Sequence, residues 1–99
     1  MLNIAKTAGD AALTVALEGR LDTTTAPQLE GDMKEALTGV AALTMDLAKL
    51  DYISSAGLRV LLSLQKQMNR QGAMKIIHAN ETIMEIFDVT GFSDILTIE

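Results

Sequence analysis

Two apolar rhythms, one of period two and one of helical period, divide the chain into segments. Residues 2–8 (LNIAKTA) alternate in part. Residues 12–18 (ALTVALE) alternate more clearly, with Leu13, Val15 and Leu17 on one side and Thr14 and Glu18 on the other. Gly9-Asp10 supplies a turn between them, so the pair reads as an antiparallel hairpin. Gly19-Arg20-Leu21-Asp22 leaves the second strand, and three threonines lead to Ala26-Pro27. Thr25 is placed as an N-cap and Pro27 falls in a first helical turn, where its missing N–H costs nothing. Leu29, Met33, Ala36 and Leu37 then recur at helical spacing until Gly39 closes the helix. Residues 42–48 (ALTMDLA) are short and mostly apolar, as expected of a central strand buried on both faces, and Lys49-Leu50-Asp51 ends it. Residues 74–78 (MKIIH) make another short strand. Asn80 caps a third helix built on Ile83, Met84 and Phe87, Gly91 takes the left-handed position after it, and Phe92 folds back onto Phe87. Residues 94–98 (DILTI) read as a last strand.

Between the strands at 42–48 and 74–78 lies the stretch around which the rest is arranged, YISSAGLRVLLSLQKQM, residues 52–68. Ser54 and Ser55 are placed to cap a long helix that runs to a stop at Gly72, since a hydroxyl at N-cap accepts from the free N–H groups just inside. Ala56 has good helix propensity, and Gly57 spoils little so near the end. At about 100° per residue, Leu58, Val60, Leu61, Leu62, Leu64 and Met68 cover more than half of the circumference. Arg59, Ser63, Lys66 and Arg70 form a narrow polar stripe opposite, and Gln65 falls inside the apolar arc. So wide an arc needs either a second helix over it or a partner. Most of it reads as core, with Leu62 at its edge.

The order is therefore β β α β α β α β in one domain, residues 1–99. The fold class is α/β: a mixed sheet of four to five strands, with helices packed against it. The strand–helix–strand alternation calls for parallel pairing and right-handed crossovers, and the opening hairpin is antiparallel.

Composition narrows the field of functions. Only Tyr52, Phe87 and Phe92 are aromatic, so the core is aliphatic, with six methionines to fill gaps. A net charge of −5 argues against nucleic acid as a partner, because phosphates call for a basic face. No apolar run is long enough to span a bilayer, so no membrane insertion is expected, and the absence of cysteine excludes disulfides and thiolate metal sites. A cytoplasmic protein fits these features. One histidine and scattered carboxylates give no metal-ligand spacing, and no Gly-rich loop is present to hold a cofactor's phosphates. A hydrolase would need Ser55, His78 and either Asp46 or Asp51 brought together, without a G-x-S-x-G elbow to announce it. No catalytic residue is assigned. What remains is a hydroxyl at a helix start: a plain cap, or a place where charge is added and removed.

The segment MDLAKLDYISSAGLRVLL resembles the signature of STAS domains, in which an apolar strand ends in Asp-Leu and Asp-Ser-Ser/Thr-Gly-Leu opens a helix. Asp46-Leu47 and Ser54-Ser55-Ala56-Gly57-Leu58 occupy those places. Gly19–Asp22, Thr25-Ala26-Pro27 and Val89-Thr90-Gly91-Phe92 extend the likeness over nearly the whole chain. Ser54 stands where the family usually has Asp, and Ala56 where many members have a second hydroxyl. The free-standing anti-sigma factor antagonist branch is the nearest match. That resemblance implies a partner-switching protein without activity or cofactor of its own and monomeric when free. Unmodified, it binds an anti-sigma factor that is also a serine kinase. Phosphorylation at Ser55 (Ser54 being the runner-up) releases it, and a serine phosphatase restores it. The implied contact surface is Ser54, Ser55, Ala56, Gly57, Leu58, Arg59 and Leu62. The alternative is an accessory module of the same fold that holds a nucleotide, lipid or other small anion at the helix N-terminus.

Overall fold

The computed structural model describes residues 2–99. Its elements are β1 (Leu2–Ala8), β2 (Ala12–Leu21), α1 (Ala26–Ala36), β3 (Ala42–Ile53), α2 (Ser55–Gln71), β4 (Ala73–Ile77) and α3 (Glu81–Thr90). A 3-10 turn, Phe92–Asp94, follows α3. The sheet runs β1-β2-β3-β4, with β1 antiparallel to β2 and the pairs β2–β3 and β3–β4 parallel. Each new strand joins the same edge. Right-handed crossovers that progress in one direction keep every helix on one face of the sheet.

Burial follows that layering. Leu13, Val15 and Leu17 of β2, Leu43, Met45 and Leu47 of β3, and Met74 and Ile76 of β4 are buried under the helices. They join Leu29 and Met33 of α1, Leu61, Leu64 and Met68 of α2, and Ile83 and Phe87 of α3 in one core cluster. The opposite face is open, with Thr44 and Asp46 half-buried and Ala48 exposed. The expectation that this strand is buried on both faces therefore fails: three helices on one side leave nothing to cover the other.

β3 also runs five residues beyond the expected end, to Ile53. Ala16 pairs with Asp46 and Glu18 with Lys49, so Leu47 and Ala48 together oppose Leu17. A second register shift falls between Gly19 and Arg20. Each extra residue turns the strand, and the inward positions step from Met45 and Leu47 to Leu50 and Ile53. The Asp46 carboxylate closes the first bulge by accepting from the Ala48 N–H at 3.0 Å.

The last expected strand shrinks to one bridge. Turn bonds from Ile95 N and Leu96 N to the Phe92 carbonyl, 3.0 and 2.8 Å, consume the residues after Gly91 and bring Leu96 into the core. Among the described residues the segment keeps one bridge to β4, Ile98 parallel to Ile76, whose N–H donates to the Thr97 carbonyl at 2.8 Å and whose carbonyl accepts from Glu99 N at 2.9 Å. Gly91 does take the left-handed conformation, φ 80°, at the end of α3. Gln65 is buried inside the arc of α2, where its Nε2 donates to Asn69 Oδ1 at 2.9 Å.

Candidate functional site

The three parallel strands deliver their C-terminal ends to one edge of the sheet, the usual place for a site in an α/β fold. Three connections meet there: Asp22–Thr25 after β2, Ser54 after β3, and His78–Asn80 after β4.

The turn between β3 and α2 is a single residue. Ser54 is extended at φ −95°, ψ 176°, its N–H donates to the Leu21 carbonyl at 2.9 Å, and its carbonyl accepts the first helical bond from Leu58 N at 2.9 Å. Its hydroxyl accepts from Gly57 N at 3.4 Å, a long cap. The helix can start so abruptly because Gly57 lies flat on the strand ends. A Cβ there would stand 2.7 Å from Leu21 Cγ, 2.9 Å from Ile53 Cγ1 and 3.0 Å from the Leu21 carbonyl oxygen. Helix propensity alone marks Gly57 as a small defect; the close approach makes it a requirement.

Of the seven residues expected to face a partner, the structure exposes Ser55 and Arg59 and leaves Ser54, Ala56 and Leu62 half-buried. Gly57 and Leu58 face inward, Leu58 with 5% of its surface exposed, so they hold the helix rather than offer side chains to a contact. Among the described residues no hydrogen bond engages the Ser55 hydroxyl. Ser55 is the first residue of α2, where free backbone N–H groups and the helix dipole favour negative charge.

Asp22 organises the neighbouring turn, displacing Thr25 from the expected capping role. The Asp22 Oδ1 accepts from Thr24 N at 3.0 Å, Thr25 N at 3.2 Å and the Thr24 hydroxyl at 2.7 Å. The Thr25 hydroxyl instead donates to the Arg20 carbonyl at 2.8 Å and accepts from Asp22 N at 2.8 Å, with no cap bond to α1. The Thr24 hydroxyl, aided by the two N–H groups, holds the Asp22 carboxyl below its ordinary range against the opposing loss of hydration. Arg20 lies with its guanidinium 4.5 Å from the Tyr52 ring centre and its Nε 3.7 Å from Asp22 Oδ2. Arg20, Asp22 and Tyr52 thus flank Ser54. The Gly-Arg-Leu-Asp run signals two of them in the sequence, but periodicity alone assigns them only to a strand end.

The third connection brings Asp46 and His78 together, Oδ1 to Nδ1 at 3.0 Å, on the open face of the sheet. The Asp46 carboxyl is held below its ordinary range first by the Ala48 N–H and then by His78 and Lys49, with burial opposing. A triad with Ser55 is not assembled, since no hydrogen bond links that hydroxyl to either residue. His78 has a positive φ of 61° and leads into Asn80, which caps α3 through Ile83 N at 2.9 Å and donates to the Leu50 carbonyl at 2.8 Å. This is structural work. Among the described residues no group of three or more His, Cys, Asp or Glu is placed to hold a metal, and no helix is long and apolar enough to cross a membrane.

Comparison with known proteins places this geometry. The STAS domain model matches residues 3–99. The chain is 35% identical over 91 residues to BtrV of Bordetella bronchiseptica, a provisionally named anti-sigma factor antagonist, covering 90% of this chain and 78% of that protein. It is 30% identical over 87 residues to the anti-sigma-B factor antagonist of Bacillus subtilis, covering 87% and 80%. The crystal structure of an anti-sigma factor antagonist from Mycobacterium paratuberculosis superposes with a TM-score of 0.89 at 19% identity, over 99% of this chain and 85% of that one. SpoIIAA in its unphosphorylated form gives 0.82 at 15% identity over 100% and 88% of the two chains, and its phosphorylated form 0.75. The strand–serine–helix junction, the sheet order and the sequence relationship agree: the chain belongs to the STAS domain family.

Proposed function

We propose that the chain is an anti-sigma factor antagonist whose grip on its partner is governed by phosphorylation at Ser55. As a member of this family it is a regulatory protein, not an enzyme. Unmodified, it binds an anti-sigma factor through the start of α2, and that factor lets go of its own client. The partner, a serine kinase, phosphorylates Ser55 with ATP and the complex parts; a serine phosphatase resets the cycle.

One observation carries the choice of residue. Ser55 is exposed with a free hydroxyl, whereas Ser54 is half-buried and committed as the N-cap. The relatives support the role through their names, and SpoIIAA, which shares the fold, exists in phosphorylated and unphosphorylated forms. Phosphate brings roughly 1.5 to 2 negative charges to Ser55. Inside this protein the dipole of α2 favours that charge by about 0.3 to 1 kcal/mol, so the fold survives. In a desolvated contact the same unpaired charge costs several kcal/mol, so the complex does not.

Phosphosite mapping after incubation with the kinase anti-sigma factor and ATP tests the assignment. Ser55→Ala binds the factor and takes up no phosphate, while Ser54→Ala is still phosphorylated. Phosphate found on Ser54 alone moves the switch by one residue and overturns the choice.

A further inference from the structure

The exposed face of α2 carries a charge opposite to that of the protein. The net charge is −5, yet α2 has no acidic residue; it holds Arg59, Lys66 and Arg70, all exposed, and all 13 acids lie elsewhere in the chain. At about 100° per residue, Ser55, Arg59, Ser63, Lys66 and Arg70 fall within an arc of about 80°, and the line from Ser55 to Arg70 is about 22 Å long. Among the described residues none of these three cations takes part in an ion pair; the pairs formed are Arg20–Asp22 and Lys75–Glu99, beside the His78–Asp46 hydrogen bond. Glu30 of α1 shares one shallow cleft with Arg59 and, together with Lys34, a second with Ser63 and Gln67, but forms no ion pair with the stripe. The stripe is therefore a row of cations without ion-pair partners, with Ser55 at its N-terminal end and Glu30 on its flank.

Resting on the reading of Ser55 above, we infer that the exposed stripe of α2 is the docking surface for an acidic patch on the partner protein. The partner's anions would meet Arg59, Lys66 and Arg70 along the length of the helix. Charge complementarity of this kind fixes orientation and speeds encounter. Salt confines it to contact range, since charges further than about 8 Å are largely screened. Within that range a docked protein meets the cations of α2 with Glu30 beside them, and the acids further off matter little. Extended polyanions, such as a nucleic acid or an anionic bilayer, would also span the acidic remainder, and the stripe has no aromatic residue to enter a membrane interface. A compact acidic protein surface is the occupant that fits.

The stripe gives phosphorylation a second mode of action. Ser55 and Arg59 are i and i+4, neighbours on one helix face. A phosphate at Ser55, with roughly 1.5 to 2 negative charges, would offset half to two-thirds of the three positive charges of the row. The partner's acidic patch then meets repulsion at one end and a missing cation at the next.

The test measures affinity for the kinase anti-sigma factor as salt and charge are varied. Lys66→Glu with Arg70→Glu weakens binding by about tenfold or more with thermal stability unchanged, while Lys66→Arg with Arg70→Lys keeps the charges and retains the wild-type affinity. Lys6→Glu with Lys49→Glu, an equal change in net charge at exposed positions of β1 and β3, leaves affinity as it was. Raising salt from about 50 to about 300 mM weakens the wild type and has little effect on the double variant. Full affinity of that variant in a complex that Ser55 phosphorylation still breaks overturns the stripe and leaves the Ser55 reading standing. If the factor does not bind wild type at all, the Ser55 reading fails, and a Glu-rich peptide titrated into ¹⁵N-labelled protein decides the stripe alone. Shifts confined to residues 55–70 support it, and their absence overturns it. Preferred binding to duplex DNA or phosphatidylserine vesicles would also refute a protein occupant.

Discussion

Gly57→Ala adds one methyl group where the helix start touches the sheet. The new Cβ would lie 2.7 Å from Leu21 Cγ, 2.9 Å from Ile53 Cγ1 and 3.0 Å from the Leu21 carbonyl oxygen. Leu21 and Ile53 are fully buried, and the carbonyl accepts the Ser54 N–H, so none of the three can swing aside freely. Overpacking of this kind costs roughly 1 to 3 kcal/mol. Alanine recovers at most about 1 kcal/mol of helix propensity, and less in a first turn. The net loss is about 1 to 2 kcal/mol, or a fall in Tm of about 4 to 16 °C for a domain of this size. Calorimetric melts of wild type, Gly57→Ala, Leu21→Ala and the double variant measure it. Trimming Leu21 makes room for the methyl, so Gly57→Ala costs less in that background. A Tm that stays level or rises on Gly57→Ala would refute the close approach, and additive effects in the cycle would show that Leu21 is not what the methyl meets.

Other expectations follow from the same geometry. Gly72→Ala abolishes the native fold or leaves it barely stable, because a Cβ there would run into the Ala41 carbonyl; circular dichroism at 25 °C checks it. Asn80→Ala costs about 1 to 2 kcal/mol and Ser54→Ala about 0.5 or less in urea unfolding, since Asn80 makes two short bonds and Ser54 one long one. The folded pKa values of Asp22 and Asp46 are lowered, so the stability they contribute is present above the ordinary carboxylate range and is lost as pH falls below about 4. Melts at stepped pH values from 6 to 2 therefore show a smaller acid-induced drop in Asp22→Asn/Asp46→Asn than in wild type.

The features legible in the sequence were those set by local chemistry. Alternation around Leu13, Val15 and Leu17 marks β2, the helical spacing of α2 separates its buried and exposed faces, and Asn80 and Gly91 bracket α3. What stayed hidden depends on neighbours distant along the chain. The bulge at Leu47-Ala48 breaks the alternation of β3, so its last turn of strand looked like a loop. Residues 94–98 carry a strand-like pattern, but the Phe92 carbonyl captures two of the following N–H groups and leaves Ile98 alone to pair. At the site, the hydroxyls and the motif around them were visible. The apolar arc already placed Leu58 toward the core, whereas the need for glycine at 57 and the Asp22 turn beside Ser54 appear only once β2 lies against the start of α2.

The most direct measurement is the affinity of the kinase anti-sigma factor for protein carrying phosphate on Ser55 alone, set beside the unmodified form. With several kcal/mol at stake and about 1.4 kcal/mol per factor of ten, the phosphoprotein should bind a hundredfold or more weakly (about two decades) while its Tm stays within a few degrees of the unmodified value. Equal affinity of the two forms would contradict a switch at Ser55, and a collapsed melt would show the phosphate acting through stability instead of through the contact.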